Sequence, residues 1–95
     1  MNNNVTGIRC TKKQKTELKE LMEKYNLVGD DIIKLMVNIM ATGIIDSDIK
    51  PKVCDVTFTC RSNEKYVFQL LYKEFKEKHN INGSVIVEML LNYIR

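Results

Sequence analysis

Apolar and polar positions alternate from 55 to 61, DVTFTCR, where Val56, Phe58 and Cys60 interleave with Thr57, Thr59 and Arg61. A period of two gives a strand one apolar face and one polar face. β-branched and aromatic residues suit that conformation. A weaker copy of the pattern spans 5–10, VTGIRC, with Ile8 and Cys10 inward, Thr6 before them, and Gly7, Arg9 and Thr11 pointing the other way. Gly7 weakens this strand, because it withholds a side chain and adds backbone freedom.

Elsewhere the apolar spacing is helical. Thr11 followed three residues later by Gln14 reads as a capping box, so a first helix is predicted from Lys12, with Leu18, Leu21, Met22 and Tyr25 as its stripe. Asn26 suits a left-handed C-terminal cap. Gly29, Asp30 and Asp31 open a second helix, whose stripe is Ile32, Leu35, Met36, Ile39 and Met40, and Ile33 and Val37 extend its apolar surface to another side. A third helix is expected after Ser62 as N-cap, with a stripe of Val67, Leu70, Leu71 and Phe75 widened by Tyr66, Phe68 and Tyr72. INGS at 81–84 breaks it, and a fourth helix, apolar nearly all round, follows. A helix of that kind must be covered on more than one face.

Between the halves, residues 43–54 form a linker holding Gly43 and the chain's single proline, Pro51. Twelve extended residues reach at most about 40 Å, enough to cross a small domain. Ile44, Ile45 and Ile49 suggest that the linker packs on the surface. Residues 1–4, MNNN, are expected to be a mobile tail.

The second half repeats the first. A shift of 54 residues superimposes Lys19 on Lys73, Glu20 on Glu74, Glu23 on Glu77, Lys24 on Lys78, Asn26 on Asn80, Gly29 on Gly83 and Asn38 on Asn92. The strands superimpose at a shift of 50, Ile8 on Phe58 and Cys10 on Cys60. The difference of four predicts a third helix one turn longer than the first. Halves of about 45 residues are near the lower limit for a core that stands alone. The division is 1–42, first half; 43–54, linker; 55–95, second half, the halves forming one folding unit with their strands paired antiparallel and the second and fourth helices beneath.

Composition changes the picture in a few places. The 95 residues are 44% hydrophobic and 28% charged, with a formal net charge of +3, so a packed core is expected rather than disorder. Up to Thr16 there is no acid, while Arg9, Lys12, Lys13 and Lys15 are present, a candidate phosphate patch. Three cysteines (Cys10, Cys54, Cys60) and one histidine (His79) lack metal-site spacing, so neither metal nor cofactor is expected. Without a signal peptide or a membrane-length apolar run, a soluble, cytoplasmic protein is expected, with no membrane partner. One histidine, no Gly-rich phosphate loop and no nucleophile–base pair argue against an enzyme.

VTFTCR at 56–61, the helix stripes, the INGS break and the apolar last helix together resemble the ribbon-helix-helix family of DNA-binding proteins, in a tandem form with two copies in one chain. The likeness spans about 80 of the 95 residues. It implies a mainly α fold with a short two-stranded antiparallel ribbon, a βαα-βαα pseudo-dimer whose ribbon enters the major groove of double-stranded DNA. Single-chain versions resemble transcription regulators of archaeal viruses and conjugation accessory proteins. By position, the base-reading residues are Gly7, Arg9 and Thr11 in the first copy and Thr57, Thr59 and Arg61 in the second. Arginine can pair with guanine and threonine can meet several base edges. The resemblance also implies a phosphate held at the start of the last helix by Asn82, Gly83 and Ser84, small and polar as an anion-binding helix N-terminus requires. The first copy departs from this, with Val28 at the cap and Asp30 and Asp31 adding negative charge, so Lys12, Lys13 and Lys15 are expected to supply its phosphate attraction. Self-association on DNA is a further expected contact. The alternative is an interaction module, such as an antitoxin or conjugation accessory protein that recruits a partner protein. A disordered extension usually carries such a contact, and only MNNN is available for one.

Overall fold

Two short strands, β1 (Val5–Cys10) and β2 (Val56–Arg61), pair antiparallel in the register Val5↔Arg61, Gly7↔Thr59, Ile8↔Phe58, Arg9↔Thr57 and Cys10↔Val56. The computed structural model describes residues 4–95. Each strand is followed by two helices: α1 (Lys12–Lys24) and α2 (Gly29–Ala41), then α3 (Lys65–His79) and α4 (Gly83–Ile94). Among the described residues the protein is mainly helical, with one two-stranded sheet. Among the described residues, no helix is long and apolar enough to cross a membrane.

The alternation read from the sequence fixes the ribbon's faces. Thr6, Ile8, Cys10 and Phe58 are buried, Val56 and Cys60 are half-buried, and Val5, Gly7, Arg9, Thr59 and Arg61 face solvent. Beneath the dry face, the principal packing joins the first half to the second. α2 packs on α3, α4 and β2, while α4 packs on α1 and β1. The shared core contains Leu18, Ile32, Ile33 and Met36 from one half and Phe68, Ile86, Leu90 and Leu91 from the other. That crossed arrangement gives α2 and α4 the several covered faces their composition demands.

Local chemistry sets the helix ends. Thr11 caps α1 in a complete capping box with Gln14. Asn26 and Asn80 adopt left-handed backbone, φ 54° and 52°, and turn the chain toward the next helix. Asparagine tolerates that region better than most residues. Gly29 and Gly83 then begin α2 and α4 directly against the ribbon. A Cβ at Gly29 would run into the Cβ of Cys60, and one at Gly83 into the carbonyl oxygen of Arg9.

Several sequence expectations change. α3 starts at Lys65 with Glu64 as its cap, not directly after Ser62. The Ser62 hydroxyl instead accepts from Glu64 N at 3.0 Å and donates to the Asp30 carboxylate at 2.6 Å, so a short turn intervenes. α3 has 15 residues against 13 in α1, two more rather than a full turn. Its inward stripe is Phe68, Leu71, Tyr72 and Phe75, whereas Tyr66, Val67 and Leu70 are 79%, 46% and 60% exposed. Apolar residues at 66–68 and 70–72 allow two helical phases. The observed one buries Phe68 together with Phe75, which removes more apolar area from water. In the linker, Ile45 packs against the core and Ile49 is half-buried, but Ile44 is 72% exposed. Of the expected tail, residues 1–3 lie outside the described residues, and Asn4 is held: its carbonyl accepts from Ser62 N at 3.0 Å and from the Thr6 hydroxyl at 3.2 Å.

Because the core is shared, a fragment ending at Gly43 should not fold as a monomer. It would expose Ile32, Ile33 and Met36, all 0% accessible in the whole chain. Sedimentation and thermal melts should report an unfolded chain or a self-associated one. A cooperatively melting monomeric fragment would contradict the shared core.

Candidate nucleic-acid interface

The solvent face of the ribbon is a six-position platform with Val5, Gly7 and Arg9 on β1 opposite Arg61, Thr59 and Thr57 on β2. No acid stands among them. Strand pairing explains why these positions share a side, since directly opposed residues in a ladder project together. Five of the six expected base-reading residues are therefore brought together. The sixth, Thr11, lies beyond β1, and its hydroxyl accepts from Gln14 N at 3.1 Å as the cap of α1. Val5, 46% exposed, occupies the remaining place on the platform. The strand pattern could have identified it, because Val5, Gly7 and Arg9 alternate with Thr6 and Ile8.

The two arginines differ. Arg9 lies across the ribbon, where its Nη1 donates to Thr57 Oγ1 at 3.0 Å and its Nη2 to the Cys54 carbonyl oxygen at 2.9 Å. The exposed Arg61 guanidinium enters none of the described hydrogen bonds or ion pairs. Arg61 is opposite Val5, which offers no side-chain acceptor.

At one end of the platform α1 begins with Lys12 and Lys13 exposed and Lys15 half-buried, and no acid lies in its first turn. Asp55 sits against this end and accepts from Lys12 N at 2.9 Å. Glu17, one turn further, pairs with Arg95 at 2.6 Å, and Arg95 also pairs with Glu88 at 3.3 Å. Lys12 and Lys13 form the exposed basic edge beside the ribbon.

The start of α4 differs from expectation. The linker covers it: Lys52 N donates to Ser84 Oγ at 2.8 Å, and Asn82 Nδ2 donates to the Lys52 carbonyl at 2.7 Å. Ser84 N donates to Asn82 Oδ1 at 3.1 Å. Gly83 and Ser84 are buried, and Asn82 is half-buried. Asn82 and Ser84 thus serve the helix cap and the linker's attachment, while Gly83 lies against the Arg9 carbonyl. The sequence could not show this, because nothing in the pattern of 43–54 says where Lys52 lands.

The start of α2 has no side-chain hydrogen bond from its cap residue, Val28, and its first-turn acids are already engaged. Asp31 accepts from Val28 N at 2.9 Å. Asp30 accepts from the Ser62 hydroxyl and from Asn63 N, and it pairs with Lys34 at 3.0 Å. The Ser62 hydrogen bond foremost, then Lys34, hold the Asp30 carboxyl below the usual carboxylate range. Asp30 is thus a brace between α2 and the end of β2 rather than a stray negative charge. Burial pushes the Cys60 thiol up to about 11, so Cys60 stays protonated at neutral pH and serves as a small packed side chain.

Comparison with family models, with curated proteins and with solved structures returns no match.

The Asp30 brace gives a signed pH dependence. Its contribution to stability is present in full above the unfolded carboxyl value of about 3.9, and it is lost as pH falls through the lower folded value. Ser62→Ala should raise the Asp30 pKa toward that ordinary value, as read by carbon-detected NMR titration. An unmoved Asp30 would remove Ser62 from the brace.

Proposed function

We propose that this chain is a sequence-specific double-stranded DNA-binding transcription regulator, a tandem ribbon-helix-helix protein that reads the major groove with its two-stranded ribbon. The observation that carries the reading is the ribbon's solvent face, which presents Arg9, Arg61, Thr57 and Thr59 together with no acid between them. Strands about 4.8 Å apart fit a groove about 12 Å wide, where arginine and threonine can meet base edges. Lys12 and Lys13 at the start of α1, with Lys15 behind them, take the flanking phosphates. The proposed activity is binding rather than catalysis, and further copies of the chain can join on neighbouring DNA.

Symmetry supports the duplication. A shift of 50 residues superimposes Ile8 on Phe58, and the ladder pairs these same two residues with each other. A two-fold axis through that pair exchanges the strands, as in a ribbon made by two equal subunits. The left-handed Asn26 and Asn80 and the pressed Gly29 and Gly83 are each 54 residues apart. The crossed packing of α2 on α3 and of α4 on α1 is what two intertwined subunits joined by a linker would give. The covered start of α4 leaves phosphate contact to the lysines more than to Asn82 and Ser84.

Gel shifts at several salt concentrations, against a site selected from random DNA and against unselected DNA, test the reading. Arg9→Ala should cost about 1–3 kcal/mol on the selected site and much less on unselected DNA. Lys12→Ala and Lys13→Ala should weaken both alike and flatten the salt dependence. Equal losses on both DNAs for Arg9→Ala would remove its base-reading role.

The halves present different side chains, so one chain should select an asymmetric motif. A homodimeric ribbon shows the same groups twice and reads a palindrome. Here the axis that superimposes the strands sets Gly7 against Thr57 and Arg9 against Thr59. Recovery of a perfect palindrome at one chain per site would contradict the assigned platform.

A further inference from the structure

The two arginines of the platform are held to different degrees, and the difference has a local cause. Thr57 stands directly opposite Arg9 in the ladder. A Cβ placed on Gly7 would lie 3.0 Å from the Thr57 methyl carbon, so the missing side chain of Gly7 leaves the room this methyl uses. With its methyl toward Gly7, Thr57 turns its hydroxyl oxygen toward Arg9 and accepts from Nη1 at 3.0 Å. The Cys54 carbonyl, supplied by the linker, accepts from Nη2 at 2.9 Å. Three of the five guanidinium N–H groups remain for a partner. Thr57 is half-buried where Thr59 is exposed, which suits a group facing its neighbour rather than the groove. The two-fold counterpart of the Arg9–Thr57 pair is Thr59–Gly7, and a glycine offers no hydroxyl. Arg61 is opposite Val5 and, among the described residues, has no such support.

We propose that Thr57 is a positioning residue: with the Cys54 carbonyl it fixes the Arg9 guanidinium on the ribbon, so that the guanine read by Arg9 is required strictly while the base under Arg61 is tolerated loosely. The inference rests on the DNA-reading function above and assigns the stringency within it. A guanidinium already set in place loses less freedom when it pairs with a base than one that must be ordered on arrival. The unanchored Arg61 can reach more than one base edge, at the cost of weaker discrimination.

The test uses the full chain with Thr57→Val and Thr57→Ser. Valine keeps the shape and suits a strand, and serine keeps the hydroxyl. Competition among sites altered one base pair at a time reads discrimination at each position. Thr57→Val should lower discrimination at the Arg9 position by about tenfold, close to one loss of 1.4 kcal/mol. Thr57→Ser should retain it, and neither change should alter the Arg61 position. NMR of the arginine side chains supplies a readout that needs no DNA: Nη resonances of Arg9 should show restricted rotation in the unaltered chain and in Thr57→Ser, but free rotation in Thr57→Val. Unchanged stringency and unchanged Arg9 rotation in Thr57→Val, with duplex binding intact, would overturn the positioning role alone. No duplex preference in the unaltered chain would overturn the DNA-reading function and this inference with it.

Discussion

The close approach of two helix N-termini to the back of the ribbon is the constraint on which the other features depend. A ribbon of two six-residue strands is marginal in water unless its apolar face is covered. The cover is α2 behind Cys60 and α4 behind Ile8 and Arg9, each helix meeting the strand of the opposite half. Backbone can come that near only where no Cβ intervenes, which accounts for Gly29 and Gly83. The left-handed turns at Asn26 and Asn80 redirect the chain so that those glycines arrive in place. Once α2 and α4 are anchored at their starts, the rest of each helix lies between the other half's first helix and its own counterpart. That position demands the nearly unbroken apolar surface both sequences carry.

Where the pattern was dense, the sequence was legible. Ribbon alternation, the Thr11 capping box, the left-handed turn at Asn26 and the opening of α2 at Gly29 all rest on local rules, and all appear in the structure. The misreadings arose where two local solutions were equally good. The apolar residues of 66–72 permit two helical phases, and only packing against α2 selects Phe68 over Val67 and Leu70. Ser62 is a sound N-cap in isolation, but its hydroxyl, which accepts from Glu64 N and donates to Asp30 of the other half, holds a short turn ahead of α3. Thr11 continues the strand alternation on paper, but the same hydroxyl that would read a base is the one that caps α1.

The linker was the least legible segment, and it ties the platform to the helices. Its tethers at Lys52 and Cys54 are backbone groups, which no residue pattern announces, and the neighbouring Asp55 adds its carboxylate. Lys52 closes the start of α4 through its amide and carbonyl, Cys54 supplies an acceptor to Arg9, and Asp55 takes the first amide of α1. Residues 52–55 thus act as a clasp from the fourth helix to the edge of the ribbon. The side chains of Asn82 and Ser84, expected beside a phosphate, hold the clasp.

Carrying both strands on one chain has a kinetic and a thermodynamic consequence. Pairing β1 with β2 is a first-order event, so the fold forms at a rate and with a stability independent of dilution. A ribbon assembled from separate chains falls apart when its subunits become scarce. The cost is the entropy of closing the roughly 45 residues between the strands, which grows only with the logarithm of loop length. A molecule of this kind stays intact when only a few copies exist in a cell, and each ribbon position can be altered singly by mutation instead of twice over.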